Sequence, residues 1–308
     1  MTIGALPASL LTPFVYGVVA LVWSGGWIAS KLGVSAVPPL ELSAIRFAIA
    51  GVLLLGIAKM TGARLGTERL GLIALSAAFG ILGYNALVFV GLTMTPASDA
   101  ALIVPTLVPV LTALFATTVG ERLTRDKILG SALSAVGATL VIAAGGGVGS
   151  TFSSERLVGD LLHVAGAACW AVYATIGTRT LRAGSPLGVV GVSSLLGAAM
   201  LFPLGFLEHG YRDVPSWPAQ AWLAIVYLVV FATVIGFVLF YWAVRRFGAG
   251  LAAMTSYLVP IGTLALAALI LGERPAPLQL VGGAVILLGV RLATRRRPAA
   301  GVEASAAA

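Results

Sequence analysis

Ten apolar runs, each long enough to cross a hydrocarbon core, follow one another with short polar joints between them: residues 11–31, 39–60, 70–94, 97–119, 127–144, 158–180, 186–207, 219–243, 248–271 and 276–292. A helical crossing takes roughly 17 to 25 residues. Hydrocarbon supplies no water to a free amide or carbonyl, so such runs must close their own hydrogen bonds as helices. The composition agrees: 59% of residues are hydrophobic and 10% charged, where a soluble domain is nearer one quarter charged. The expected fold class is an all-α membrane protein of ten transmembrane helices, with residues 1–10 before them and a disordered tail at 294–308. No Lys or Arg precedes the first run, and it exceeds a signal-peptide core, so it reads as a span.

The net charge of +8 does not imply nucleic acid, because the basic residues are scattered through short joints. With the N-terminus in the cytoplasm, fourteen of the 19 Lys and Arg fall inside and only Lys31, Arg156, Arg212 and Arg274 outside, Arg46 lying within a span. That bias puts both termini inside and the protein in the inner (plasma) membrane. Cys169 is the only cysteine, which excludes an intrachain disulfide or a cysteine-rich metal site. No metal and no cofactor is expected.

The chain also repeats itself. Val108-Pro109 and Val259-Pro260 each sit within an apolar run and are followed by the same tripeptide, Gly120-Glu121-Arg122 and Gly272-Glu273-Arg274. Trp23 precedes Pro39 by the sixteen residues that separate Trp170 from Pro186, and Gly120, Gly130 and Gly137 match the spacing of Gly272, Gly282 and Gly289. The match slips once, since Pro109 to Glu121 is twelve residues and Pro260 to Glu273 thirteen. Two five-helix units, 11–145 and 158–293, are expected. Because five is odd, the second would enter the membrane upside down, an inverted repeat around a pseudo-two-fold axis.

Ten helices in two copies of five, Trp in the first helix of each copy, Pro in the fourth and Gly-Glu-Arg after it resemble the EamA-type members of the drug/metabolite transporter superfamily. The resemblance covers about residues 11–293 and is strongest for the scaffold. Length and aromatic content look most like the YddG-type aromatic amino-acid exporters. It implies a carrier whose partners are a small-molecule substrate and the lipid bilayer, acting as a monomer with internal pseudo-symmetry.

Candidate site residues follow from what lipid makes costly. A charge at bilayer depth costs roughly 2.5 to 3.5 kcal/mol by insertion scales, and Arg46, Glu41, Asp99 and Asp160 are the charges within or at the outer ends of spans. Arg46 reads either as the partner of an anion in an outer vestibule or as half of a structural pair with Glu41 or Asp99. His163 is either a titrating group or a hydrogen-bonded packing residue. Trp23 and Trp27 share one helix face and His163 and Trp170 another; Tyr84, Asn85, Tyr173, Tyr227, Ser256 and Tyr257 lie near the middle of their spans. With Thr106 they form the expected substrate-binding set. Thr112, Thr255 and Thr263 also flank the prolines. Trp217, Trp222 and Trp242 lie near span ends and read as interfacial anchors.

Pro105, Pro109 and Pro260 are expected to kink or interrupt helices and to serve gating, since proline removes an amide donor, and paired interruptions in two halves point to a transporter's midplane site. The small-residue faces at Gly130, Ser134 and Gly137 and at Gly282 and Gly289 read as packing of the fifth span on the tenth.

Absences narrow the function. The first helix reads Trp23-Ser24-Gly25-Gly26-Trp27 and lacks the glutamate by which small multidrug antiporters of this superfamily take lipophilic cations. Residues 248–271 lack the Lys or Arg of its sugar-phosphate exchangers. There is no zinc-protease motif, and Ser193 and His209 are the nearest approach to a serine-histidine pair, so no enzyme is expected. The reading is export of small zwitterionic or neutral solutes, amino acids including aromatic ones, by alternating access, with broad drug efflux as the alternative.

Overall fold

The structure, a computed structural model, describes residues 8–115, 124–144, 153–180, 184–237, 239 and 249–293. The first Gly-Glu-Arg tripeptide, Trp242 and the tail at 294–308 lie outside the described residues, as do the side chains of 249–257. All regular structure among the described residues is helical.

Helices α1 (Ala8–Val34) and α2 (Pro39–Met60) are followed by α3, which starts at Leu70–Ala77, passes through a π turn at Ala78–Gly83 and continues as Tyr84–Met94. Then come α4 (Ala97–Phe115), α5 (Arg125–Ala143), α6 (Ser154–Thr180) and α7 (Pro186–Gly205). The rod α8 begins at Ala219–Val226 and runs into a π turn at Tyr227–Ile235; α9 (Ala249–Leu266) ends in another at Ala267–Leu271, and α10 is Pro277–Ala293. Among the described residues six helices are long and apolar enough to cross a membrane, and Ala97–Thr112, Ala219–Ile235, Leu258–Leu271 and Pro277–Ala293 are apolar but shorter.

The start of each helix shows why the joints read as they do. Pro39 and Pro186 occupy first-turn positions, where a missing amide costs nothing. The Glu208 carboxylate accepts the amides of Leu40 and Glu41 at the head of α2, 3.0 and 3.1 Å away at Oε2. Burial pushes the Glu208 carboxyl above its ordinary value, the two amides acting against that rise. The second Gly-Glu-Arg tripeptide divides its labour. Gly272 ends α9 in the left-handed region at φ 67°, which glycine enters without strain. Glu273 then accepts the amides of Ala97 and Ser98 at 2.8 and 2.9 Å, capping α4.

Four helix pairings keep their partners when α1–α5 are exchanged with α6–α10, whereas the packing of α4 on α5 and α10 and of α1 on α3 has no comparable counterpart among the described residues. Helix α2 lies on α7 and α5 on α10; α1 on α9 has its counterpart in α6 on α4, and α1 on α8 in α6 on α3. The glycine faces of α5 and α10 meet as expected: a Cβ on Gly130 would strike the backbone of Gly289 and Ala293, and one on Gly137 the carbonyl of Gly282. Ser134 donates across the same seam to Ile286 O, 3.3 Å.

Two expectations need correction. Pro105, Pro109 and Pro260 do not interrupt their helices; they lie inside α4 and α9. A proline removes one rung of the ladder, and helices held between neighbours run on past it. The departures from α geometry fall instead at the π turns of α3 and α8 and at the end of α9. Trp217 is not an interfacial anchor but a core residue, 7% exposed, with its ring 5.8 Å from that of Trp222.

Candidate functional site

The two π turns face each other across a cavity of about 240 Å³ enclosed by α1, α2, α3, α4, α6, α7, α8 and α9. A π turn widens the helix by one residue and frees a carbonyl, a distortion frequent at functional sites. Here each half answers it with a side chain. Asn85 Nδ2 donates to Ile81 O at 2.8 Å, and Thr233 Oγ1 donates to Leu228 O at 2.7 Å. Ile81 and Leu228 are as far apart in the chain as Trp23 and Trp170, so the same carbonyl is answered in both halves.

Aromatic rings form most of the wall. Trp23 Nε1 donates to Ala232 O at 3.2 Å, pinning α1 to α8, and its ring meets Phe237 edge-on with centroids 6.0 Å apart. Across the cavity Trp170 stands between Tyr84, 4.8 Å away, and Tyr173, 5.1 Å away. Tyr173 packs over Gly80 on the α3 π turn, where any Cβ would strike its ring.

Of the residues expected at a site, Trp23, Trp27, Tyr84, Asn85, Trp170, Tyr173, Arg46 and Pro105 line this cavity. The others lie elsewhere. Thr106 donates to Leu102 O and Ile103 O of its own helix. Tyr227 donates to Val22 O, 3.1 Å, over Gly25. Pro109 and Pro260 are not in the lining, and the side chains of Ser256 and Tyr257 lie outside those described.

His163 is fully buried beside α3, its Nε2 2.7 Å from Thr95 Oγ1. It belongs to a cluster at one end of the bundle. There Arg156 holds the Asp99 carboxylate through Nε at 2.8 Å and Nη2 at 2.7 Å, Gln279 donates to the other Asp99 oxygen, and Asp160 lies 4.0 Å from Arg156. Lys31 Nζ donates to Leu92 O and Thr95 O, each at 2.7 Å.

The expected pairing of Arg46 with Glu41 or Asp99 does not form. Asp99 is held by Arg156, and Glu41 Oε1 accepts the amides of His209 and Tyr211 at 3.0 and 3.1 Å. Glu41 and Arg46 are five residues apart on one helix, about 140° around it at 100° per residue. Arg46 instead lies against two rings, its Cζ 4.3 Å from the centroid of Phe47 and 5.0 Å from that of Phe89.

Sequence reasoning missed Phe47, Phe89, Ser194, Thr233 and Phe237 in the lining. The repeat could have found one of them: Phe47 and Ser194 have the spacing of Trp23 and Trp170. Among the described residues no three His, Cys, Asp or Glu side chains gather as a metal site.

The sequence model of the EamA-like transporter family matches residues 14–143 and 157–295. A protein of Streptantibioticus cattleyicolor called a probable terminal-alkyne amino-acid exporter is 33% identical over 277 residues, 89% of this chain and 90% of its own. An uncharacterized transporter of Archaeoglobus fulgidus is 28% identical over 293 residues, 93% of this chain and 98% of its own. The uncharacterized inner membrane transporter YedA of Escherichia coli is 24% identical over 282 residues, 89% and 87%. One protein of known crystal structure superposes with a TM-score of 0.65 at 25% identity, covering 91% of this chain and 95% of that one.

Proposed function

Since the chain belongs to the EamA-like transporter family of the drug/metabolite transporter superfamily, we propose that it exports small zwitterionic or neutral metabolites, amino acids with aromatic or apolar side chains first. The observation that carries this is the lining: rings, hydroxyls, an amide and the Arg46 guanidinium, with no Asp or Glu among the described cavity residues. A cavity without a carboxylate has nothing to neutralise an organic cation, the usual cargo of broad drug efflux. Its volume lies just below the roughly 300 to 1,000 Å³ typical of small-molecule sites, which suits a small metabolite. The relative named as a probable amino-acid exporter supports the same substrate class.

The supporting scaffold is ten spans, α1 to α10, in two inverted five-helix repeats, multi-pass in the inner membrane with both termini in the cytoplasm. Alternating access then consists of α3, α4, α8 and α9 rocking about the cavity, and the π turns give α3 and α8 a place to bend. The test is counterflow of radiolabelled phenylalanine, leucine and an organic cation in proteoliposomes, with and without a pH gradient. Amino-acid exchange without movement of the cation is the expected result. Movement of the cation alone would overturn the substrate reading, and dependence on the pH gradient would separate proton antiport from uniport.

A further inference from the structure

We propose that Arg46 is a carboxylate-binding subsite, so that the cavity selects solutes bearing one carboxylate and an apolar or aromatic body. This rests on reading the cavity as the transport site. Among the described residues the other charges buried within the bundle are engaged: Asp99 has Arg156, Lys31 has two carbonyls, Glu41 has two amides, and Asp160 lies 4.0 Å from Arg156 without a hydrogen bond. Arg46 lines the cavity, and among the described residues no carboxylate pairs with it and no acceptor takes its Nε proton. Guanidinium presents its N–H groups in one plane, as a fork that matches the two oxygens of a carboxylate. With Phe47 and Phe89 packed on it, an anion must come edge-on from the cavity. One guanidinium matches one negative charge, and among the described residues no second cation lines the cavity to match the second charge of a phosphate dianion.

The other orphan polar atoms of the lining are acceptors. Asn85, a residue of the cavity wall, turns its amide nitrogen toward Gly80 O and Ile81 O, which leaves Oδ1 buried and without a partner. Ser194 Oγ is likewise buried, unpartnered and in the lining. An ammonium group beside the carboxylate finds these oxygens and the faces of Tyr84 and Trp170, which attract cations. The subsite therefore takes α-amino carboxylates best and simple carboxylates next.

Intrinsic tryptophan fluorescence of the purified full chain reads occupancy directly, because Trp23, Trp27 and Trp170 line the cavity. The probes are L-phenylalanine, 3-phenylpropanoate and L-phenylalaninamide, titrated into wild type, Arg46→Gln and Arg46→Lys. Wild type is expected to bind both carboxylates at least about tenfold tighter than the amide, the scale of a lost charge-assisted bond. Arg46→Gln should lose that preference and leave amide binding unchanged, with Arg46→Lys between them. Its melting temperature should not fall, since no partner is orphaned. Equal binding of phenylalanine and its amide by wild type, or an undiminished preference in a folded Arg46→Gln, overturns the subsite, and so does failure of every carboxylate to bind. Should Arg46→Gln fail to fold, the wild-type ratio and Arg46→Lys still decide. If carboxylates bind through Arg46 but proteoliposomes move none, the transport reading fails and the subsite stands.

Discussion

The two halves of this protein share a scaffold and differ in chemistry. Corresponding positions carry the tryptophans that wall the cavity, the prolines that open α2 and α7, the glycine seam between α5 and α10, and the answered carbonyls of the π turns. At the same register, Arg46 corresponds to Ser193, Asn85 to Ala232 and Lys31 to Thr178. The first half thus supplies the cavity's charge and its amide, and both halves supply hydroxyls. On the proposed reading, the shared scaffold would serve alternating access, and asymmetry at a few positions on that frame would orient the solute.

The charged end of the bundle is the part of the asymmetry that stabilises, and breaking it should have the largest effect. Asp99→Ala leaves Arg156 buried without its carboxylate, a change worth about 3 to 5 kcal/mol when one partner of a buried pair is removed. Thermal unfolding in detergent should show a large drop, partly restored by Arg156→Met in the same chain. A melting temperature near wild type for Asp99→Ala alone would mean that Asp160 can take over Arg156. The contrast with Arg46→Gln is the point, since one change removes a strut and the other removes a binder.

A middle-sized effect separates the two π turns. Asn85→Leu and Thr233→Val each remove the side-chain donor to a π-turn carbonyl, and each should cost about 1 kcal/mol, the net worth of a buried hydrogen bond. Of these two lining residues only Asn85 keeps a side-chain oxygen without a partner. Asn85→Leu should therefore lower both the melting temperature and amino-acid affinity, and Thr233→Val mainly the melting temperature. Equal loss of affinity in the two variants would show that the turns act as a symmetric hinge and that Asn85 has no separate contact with solute.

What could be read before the fold was known follows the same division. The apolar helices and the glycine seam were legible because helical runs and small-residue spacing are properties of one chain segment. The cavity aromatics Trp23, Tyr84, Trp170 and Tyr173 were legible because depth in a span can be counted. The partner of Arg46 was not, since counting gives depth along a helix but not which neighbour occupies each side. The π turns were invisible for a related reason. No residue pattern specifies the extra residue in α3; the ring of Tyr173 seated on Gly80 and the Asn85 amide hold it there. The prolines drew attention that the turns deserved, because proline advertises a missing donor while a π turn conceals one.

The smallest expected effect tests whether the walls of the cavity are themselves equivalent. Trp23 is fixed by its bond to Ala232 O and meets Phe237 edge-on, whereas Trp170 is held between two tyrosines. Aromatic pairing adds about 0.5 to 1.5 kcal/mol beyond area burial, so either Trp→Leu change should weaken phenylalanine relative to leucine by up to about tenfold. Trp23→Leu also removes a helix-to-helix hydrogen bond, and its melting temperature should fall further than that of Trp170→Leu. Phenylalanine-to-leucine affinity ratios measured for both variants, beside their unfolding curves, check this. If both ratios stay at the wild-type value, the tryptophans only pack the wall, and selectivity must come from the Arg46, Asn85 and Ser194 side of the cavity.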